Sequence, residues 1–233
     1  MVREMDLERR KAYAKSWQNI WLHRYNWPKM HAISPVLDIG TRDGTIFSNS
    51  VDGIPSPPDI TFFDLDMWIQ EWKPDRKFVR GDARRLPFKD NSFISVTLCD
   101  VLEHVPDPLQ VLNEAVRVAS QRVVFTTPDE YHSGSANFPC QPHESEKPDY
   151  KERTIKDTLG CQMKEARCLD TVDDDVLRHL YHIQHFDEGE LLGILGGLSP
   201  PGLQFLLRRI WYFGDPLDPD TLVANFAGVI LKT

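Results

Sequence analysis

The sequence predicts an α/β fold on a mostly parallel sheet, and two observations carry that reading. Short apolar runs alternate with helical patterns along most of the chain. Acidic residues, Asp38, Asp64, Asp82 and Asp100, stand at or just beyond the ends of the first four runs. Right-handed crossovers are the ordinary way to join such units.

Taken in order, residues 3–25 place Tyr13, Trp17, Ile20 and Trp21 at three- and four-residue spacings, which predicts an amphipathic helix ending before Pro28. Val36–Ile39 is the first strand, and its helix begins near Gly44. The second strand, Ile60–Phe63, follows a loop containing Pro55, Pro57 and Pro58 and ends at Asp64-Leu65-Asp66. Phe78-Val79 is a short third strand before Gly81-Asp82-Ala83, and Phe93–Cys99 is the fourth, ending at Asp100. A helix over Leu109–Ala119 leads to the fifth strand, Arg122–Thr126, which stops at Pro128. Residues 129–180 break this rhythm and are too long for an ordinary connection, so they are expected to form an insertion or lid. Asp187–Leu195 reads as a helix opened by an acidic residue and stopped by Gly196-Gly197. Phe205–Tyr212 and Ala224–Leu231 are two final strands around a Pro/Asp-rich turn.

Composition narrows the class. A chain of 233 residues with 41% hydrophobic and 27% charged residues can bury a substantial core, so one domain over 1–233 is expected. Its longest apolar stretches are too short to cross a bilayer, and the charged N-terminus does not resemble a secretory signal. A cytoplasmic location and no membrane partner are the resulting expectations. Cys99, Cys140, Cys161 and Cys168 contain no C-x-x-C pair, which predicts reduced thiols rather than a zinc knuckle. The formal net charge of −8 argues against a large nucleic-acid footprint.

Chemistry is expected at the carboxyl ends of the strands, where ligands collect in doubly wound sheets. Val36-Leu37-Asp38-Ile39-Gly40-Thr41-Arg42-Asp43-Gly44 is a buried-strand run ending in a glycine-bearing turn. Such a turn lets backbone amides approach a ligand closely. A dinucleotide fingerprint starting at Gly40 would need glycines where Arg42 and Thr45 stand, which argues against that reading.

The stretches VLDIGTRDG, ITFFDLD, GDARRLPFKDNSF and CDVLEHVPDP together resemble the class I S-adenosylmethionine-dependent methyltransferases, strongly over residues 36–128 and loosely over 182–231. The resemblance implies a Rossmann-like, seven-stranded, mostly parallel sheet with helices on both faces and a C-terminal antiparallel strand. It also implies S-adenosyl-L-methionine as cofactor. Gly40, Thr41 and Gly44 would shape the loop against it, and Asp38 would order that loop or the amino-acid end. By the same resemblance Asp64 bonds the ribose hydroxyls, Leu65 packs on adenine, and Asp82 and the Ala83 amide meet the adenine edge. Asp100 lies beside the methionine portion. Arg42 departs from the family, whose usual residue there is glycine.

Methyl transfer from a sulfonium asks the protein mainly to align nucleophile, methyl and sulfur. A hydroxyl acceptor also benefits from a base near neutral pKa, for which His104 is the first candidate and His143 the second. Asp100, Glu103 and His104, completed by His143 or His182, form an alternative divalent-metal set that would grip a diol or an RNA ribose. The reading adopted is a metal-free enzyme acting on a small-molecule oxygen, nitrogen or carbon nucleophile. Its pocket would be capped by the N-terminal helical segment, about 1–27, and by the insertion. A non-catalytic cofactor-binding scaffold or partner subunit is the alternative that Arg42 keeps open.

Overall fold

The computed structural model of the protein describes residues 23–41, 44–48, 54–65, 75–129, 184, 186–213 and 222–232. In chain order the elements are α1 His23–His31, β1 Val36–Ile39, α2 Thr45–Ser48, β2 Ile60–Asp64, β3 Phe78–Arg80 and β4 Phe93–Cys99. They continue with a 3₁₀ turn Leu102–His104, α3 Pro108–Val118, β5 Ala119–Pro128, α4 Glu188–Gly196, β6 Gln204–Phe213 and β7 Leu222–Leu231. Seven strands form one sheet in the order β3-β2-β1-β4-β5-β7-β6. The pairings β1–β2, β1–β4, β2–β3 and β4–β5 are parallel, while β7 is antiparallel to both β5 and β6. The predicted fold class is therefore the observed one.

Strand alternation divides the core between the two faces. Leu37, Ile39, Val96, Leu98, Val123 and Phe125 pack with Val111, Leu112, Ala115 and Val116 of α3 and Leu191 and Leu195 of α4. On the other face Val36, Phe62 and Cys99 pack with Ile46 and Phe47 of α2. Val124, Ala227 and Val229 meet Trp27 of α1 there, and Trp27 Nε1 donates to the Gly228 carbonyl at 3.1 Å. Gly228 lies opposite Phe125, whose ring covers it so closely that an added Cβ would stand 2.2 Å from ring carbons.

Helix ends follow the local chemistry. Asp107 caps α3 by accepting from Gln110 N at 2.9 Å, with Pro108 in the first turn where its missing N–H costs nothing. Asp187 and Glu190 form a reciprocal capping box at the start of α4, as the acidic helix start predicted. One boundary differs at the N-terminal side. The expected helix was to end before Pro28, whereas α1 carries Pro28 inside it. Proline forfeits one amide donor, but the ladder resumes at once with Ala32 N donating to Pro28 O at 2.7 Å, and Trp27 anchors the helix to the sheet. The expected stretch 3–22 with Tyr13, Trp17, Ile20 and Trp21, and the insertion beyond Asp129, lie outside the described residues. Among the described residues no helix is long and apolar enough to cross a membrane.

Candidate functional site

The loop after β1 is built around Gly40, which adopts φ +70° and whose added Cβ would stand 2.4 Å from Val101 Cγ2. A side chain there is excluded by both backbone conformation and contact. Gly40 N and Thr41 N both donate to Phe63 O, at 2.8 and 3.4 Å, stitching this loop to the end of β2. Gly44, with φ +68°, closes the loop by donating to Thr41 O at 2.8 Å. Arg42 and Asp43 lie outside the described residues.

Asp38 is the most unusual group in the site. It is 1% exposed, Thr97 Oγ1 donates to its Oδ1 at 2.7 Å, and its Oδ2 has no hydrogen-bond partner. Burial pushes its pKa up to about 7; the Thr97 and Thr41 hydroxyls pull it down and the Asp64 charge raises it further. A buried carboxylate with an idle oxygen suits a cationic group brought by a ligand, such as the ammonium of an amino acid. The glycine-shaped loop and this oxygen fit the amino-acid end of S-adenosylmethionine.

At the next strand end Asp64 is partly exposed, and its carbonyl accepts from Gly81 N at 2.9 Å. Leu65 follows with 45% exposure, an apolar side chain open to a flat ring. Asp82, beyond β3, is engaged by its own loop. Its Oδ1 accepts from Arg84 N at 2.9 Å and Arg84 Nε at 3.1 Å, and its Oδ2 from Nε at 3.0 Å and Nη2 at 2.6 Å. These bonds hold the Asp82 carboxyl below the usual aspartate range. Ala83, half-buried, lies between the two.

Asp100 takes φ +55°, a left-handed conformation that aspartate tolerates better than most residues. Its Oδ1 accepts from Thr126 Oγ1 at 2.9 Å and Asn225 Nδ2 at 3.1 Å. His104 closes the short 3₁₀ turn, its amide donating to Val101 O at 3.0 Å, and its imidazole is 28% exposed. Beside it Glu103 is buried; Oε2 accepts from Thr127 Oγ1 at 3.0 Å, and Oε1 is 4.0 Å from His104 Nε2.

Thr126 follows the strand parity of Val124, on the α1 side, whereas Thr127 follows that of Phe125, on the α3 side. The partners of Asp100 and Glu103 therefore lie on opposite faces of the sheet. Among the described residues no three His, Cys, Asp or Glu side chains gather as a metal group. His143 and His182 lie outside the described residues.

Some polar residues at this edge were not singled out as candidates from the sequence: the buried Thr126, Thr127, Asp129 and Asn225, and the partly buried Arg209. Asp129, fully buried after β5, is paired with Arg209 of β6, whose guanidinium also lies 5.1 Å from the Phe226 ring centroid. The available signal was an Asn inside an otherwise apolar strand and an Asp after Thr-Thr-Pro.

Comparison with known proteins places this geometry. Residues 60–126 match a family model described as a methyltransferase domain. Relatives include demethylmenaquinone methyltransferases of Renibacterium salmoninarum, 34% identical over 36% of this chain and 35% of the relative, and of Paenarthrobacter aurescens, 46% identical over 36% and 33%. The chain thus spans about a third of the length of these curated relatives.

Over most of its length the fold resembles a Thermotoga maritima structure described as an S-adenosylmethionine-dependent methyltransferase, possible histamine N-methyltransferase. The TM-score is 0.56 at 16% identity, covering 97% of this chain and 98% of the other. A Methanosarcina mazei S-adenosylmethionine-dependent methyltransferase gives 0.53 at 17% identity, over 89% and 95%. Strand order and glycine-shaped loop agree with these structures: the chain has the Rossmann-like fold of class I methyltransferases, and its residues 60–126 carry the match to a methyltransferase domain.

Proposed function

We propose that this chain transfers a methyl group to an oxygen, nitrogen or carbon of a small molecule held against the carboxyl edge of the sheet. The observation that carries the reading is Asp38, whose idle buried oxygen faces the need for a cationic ligand group beside a loop that excludes side chains. When bound, the sulfonium cofactor supplies both an activated methyl and its own leaving group.

The chain's residues divide the remaining work. Asp38 and the Gly40–Gly44 loop hold the amino-acid end, and Asp64 accepts from the two ribose hydroxyls. Leu65 packs on the adenine, whose edge meets Asp82 and the Ala83 amide. Asp100, fixed by Thr126 and Asn225, lies toward the methionine portion. His104 takes the proton from a hydroxyl acceptor. The relatives named for demethylmenaquinone make a quinol the first acceptor to test.

Calorimetry with S-adenosylhomocysteine, with NAD as comparator, tests the cofactor site. Transfer of labelled methyl to a panel of quinols, phenols and amines tests the acceptor. Failure to bind S-adenosylhomocysteine would remove the proposal. Binding without transfer to any acceptor would favour a cofactor-binding scaffold, the reading that Arg42 in the loop supports.

A further inference from the structure

The Asp82 carboxylate is already engaged on both oxygens by its own loop, through three N–H groups of Arg84. A carboxylate offers about four lone-pair positions. On Asp82 the Arg84 amide and Nε meet Oδ1, while Nε and Nη2 meet Oδ2. The backbone cannot easily relax away, because Arg85 N donates to Asp82 O at 3.0 Å and Gln110 Nε2 of α3 donates to Arg84 O at 3.2 Å. The side chains can: Arg84 and Asp82 are 41% and 43% exposed. This pairs a fixed turn with a displaceable guanidinium.

We propose that Arg84 is a specificity-determining residue of the adenine subsite, occupying Asp82 in the free protein and yielding it to the ligand's exocyclic amino group. The inference rests on the proposed placement of adenine at Asp82. The amino group replaces the Nη2–Oδ2 bond, and the Arg84 amide keeps Oδ1 oriented throughout, so only the side-chain part of the clasp opens. A ligand without a donor at that position gains nothing from displacing the guanidinium. Arg84 therefore costs a six-amino purine ring more affinity than a six-oxo one, and so narrows the preference that Asp82 alone would set.

Titration of the full chain with S-adenosylhomocysteine and with S-inosylhomocysteine, its six-oxo counterpart, tests this. Because exposed ion pairs are weak, Arg84→Ala should bind S-adenosylhomocysteine about two- to five-fold tighter. Raising ionic strength should tighten the wild type and leave Arg84→Ala unchanged. S-inosylhomocysteine affinity should rise less in Arg84→Ala than that of the amino compound. Unchanged or weaker S-adenosylhomocysteine binding by a folded Arg84→Ala would overturn the inference, as would an equal gain for both ligands. If the wild type binds and Asp82→Ala binds equally well, adenine is not at Asp82 and the placement itself fails. No binding by any variant would remove both.

Discussion

Thr97 donates its hydroxyl hydrogen to Asp38 Oδ1 at 2.7 Å from the neighbouring strand, while Asp38 Oδ2 is buried without a partner. Neutral hydroxyls do not offset full burial of a carboxylate, and the Asp64 charge adds to it, which is why the pKa rises from 3.8 to about 7.

That shift gives the free protein a defined pH dependence. Between the ordinary aspartate pKa of 3.8 and the folded value of about 7, the folded chain holds a proton that the unfolded chain has released. Stability from this group is therefore full below the lower value, falls as pH rises through the window and levels off above it, at about 1.4 kcal/mol per pKa unit at most. Urea unfolding of wild type and Asp38→Asn from pH 5 to pH 8 should show the decline only in the wild type. Stability of the wild type rising relative to Asp38→Asn over this range would contradict the assignment. Affinity for S-adenosylhomocysteine should move the other way, strengthening with pH as Asp38 ionises to meet the ammonium.

Gly40→Ala should destabilise the chain by about 1–3 kcal/mol, because it adds a left-handed alanine and a clash with Val101. Pairing it with Val101→Ala should recover the clash and leave the backbone strain. Denaturant midpoints of the three variants separate the two parts, and a neutral Gly40→Ala would show that the loop relaxes freely.

Asp64→Ala should weaken S-adenosylhomocysteine binding by about 1–3 kcal/mol through lost charge-assisted hydrogen bonds. The carboxylate of Asp64 is only partly buried, so its removal should change the unfolding midpoint little. Unaltered affinity by calorimetry would remove the ribose assignment.

His104→Ala should lower turnover by about 100-fold or more on a hydroxyl acceptor while leaving cofactor affinity within about two-fold. Full activity would leave His104 as a residue that merely closes the 3₁₀ turn. Its neighbour Glu103 gives the contrast: Glu103→Ala strands the Thr127 hydroxyl in the core and should cost about 1–3 kcal/mol of stability.

The architecture was legible because its strands are largely apolar runs, most of which stop at Asp, Gly or Pro, and because Asp187 with Glu190 spells a helix start in the sequence itself. Boundaries slipped where tertiary contacts extend an element past its own signal. β5 begins at Ala119, immediately after α3, since Ala119 already pairs with Phe93. α1 runs through Pro28 because Trp27 holds it down. The strand-end acids were legible by position, but their partners were not. Asp100 meets Asn225 across 125 residues and Asp129 meets Arg209 across 80, distances over which no local pattern speaks. Arg84 was the reverse case, adjacent in sequence yet silent, because its clasp on both oxygens of Asp82 is a matter of angle and distance.

The position of β7 between β5 and β6 has a consequence for biosynthesis. During translation the edge of β5 away from β4 stays open until residues 222–231 have left the ribosome, because that stretch is what pairs it and also brings in β6. A nascent chain halted before this point exposes the backbone donors and acceptors of a ten-residue strand, a template for mispairing with other chains. Loss of this single late segment is thus expected to divert newly made protein toward aggregation or proteolysis rather than leave a smaller folded domain.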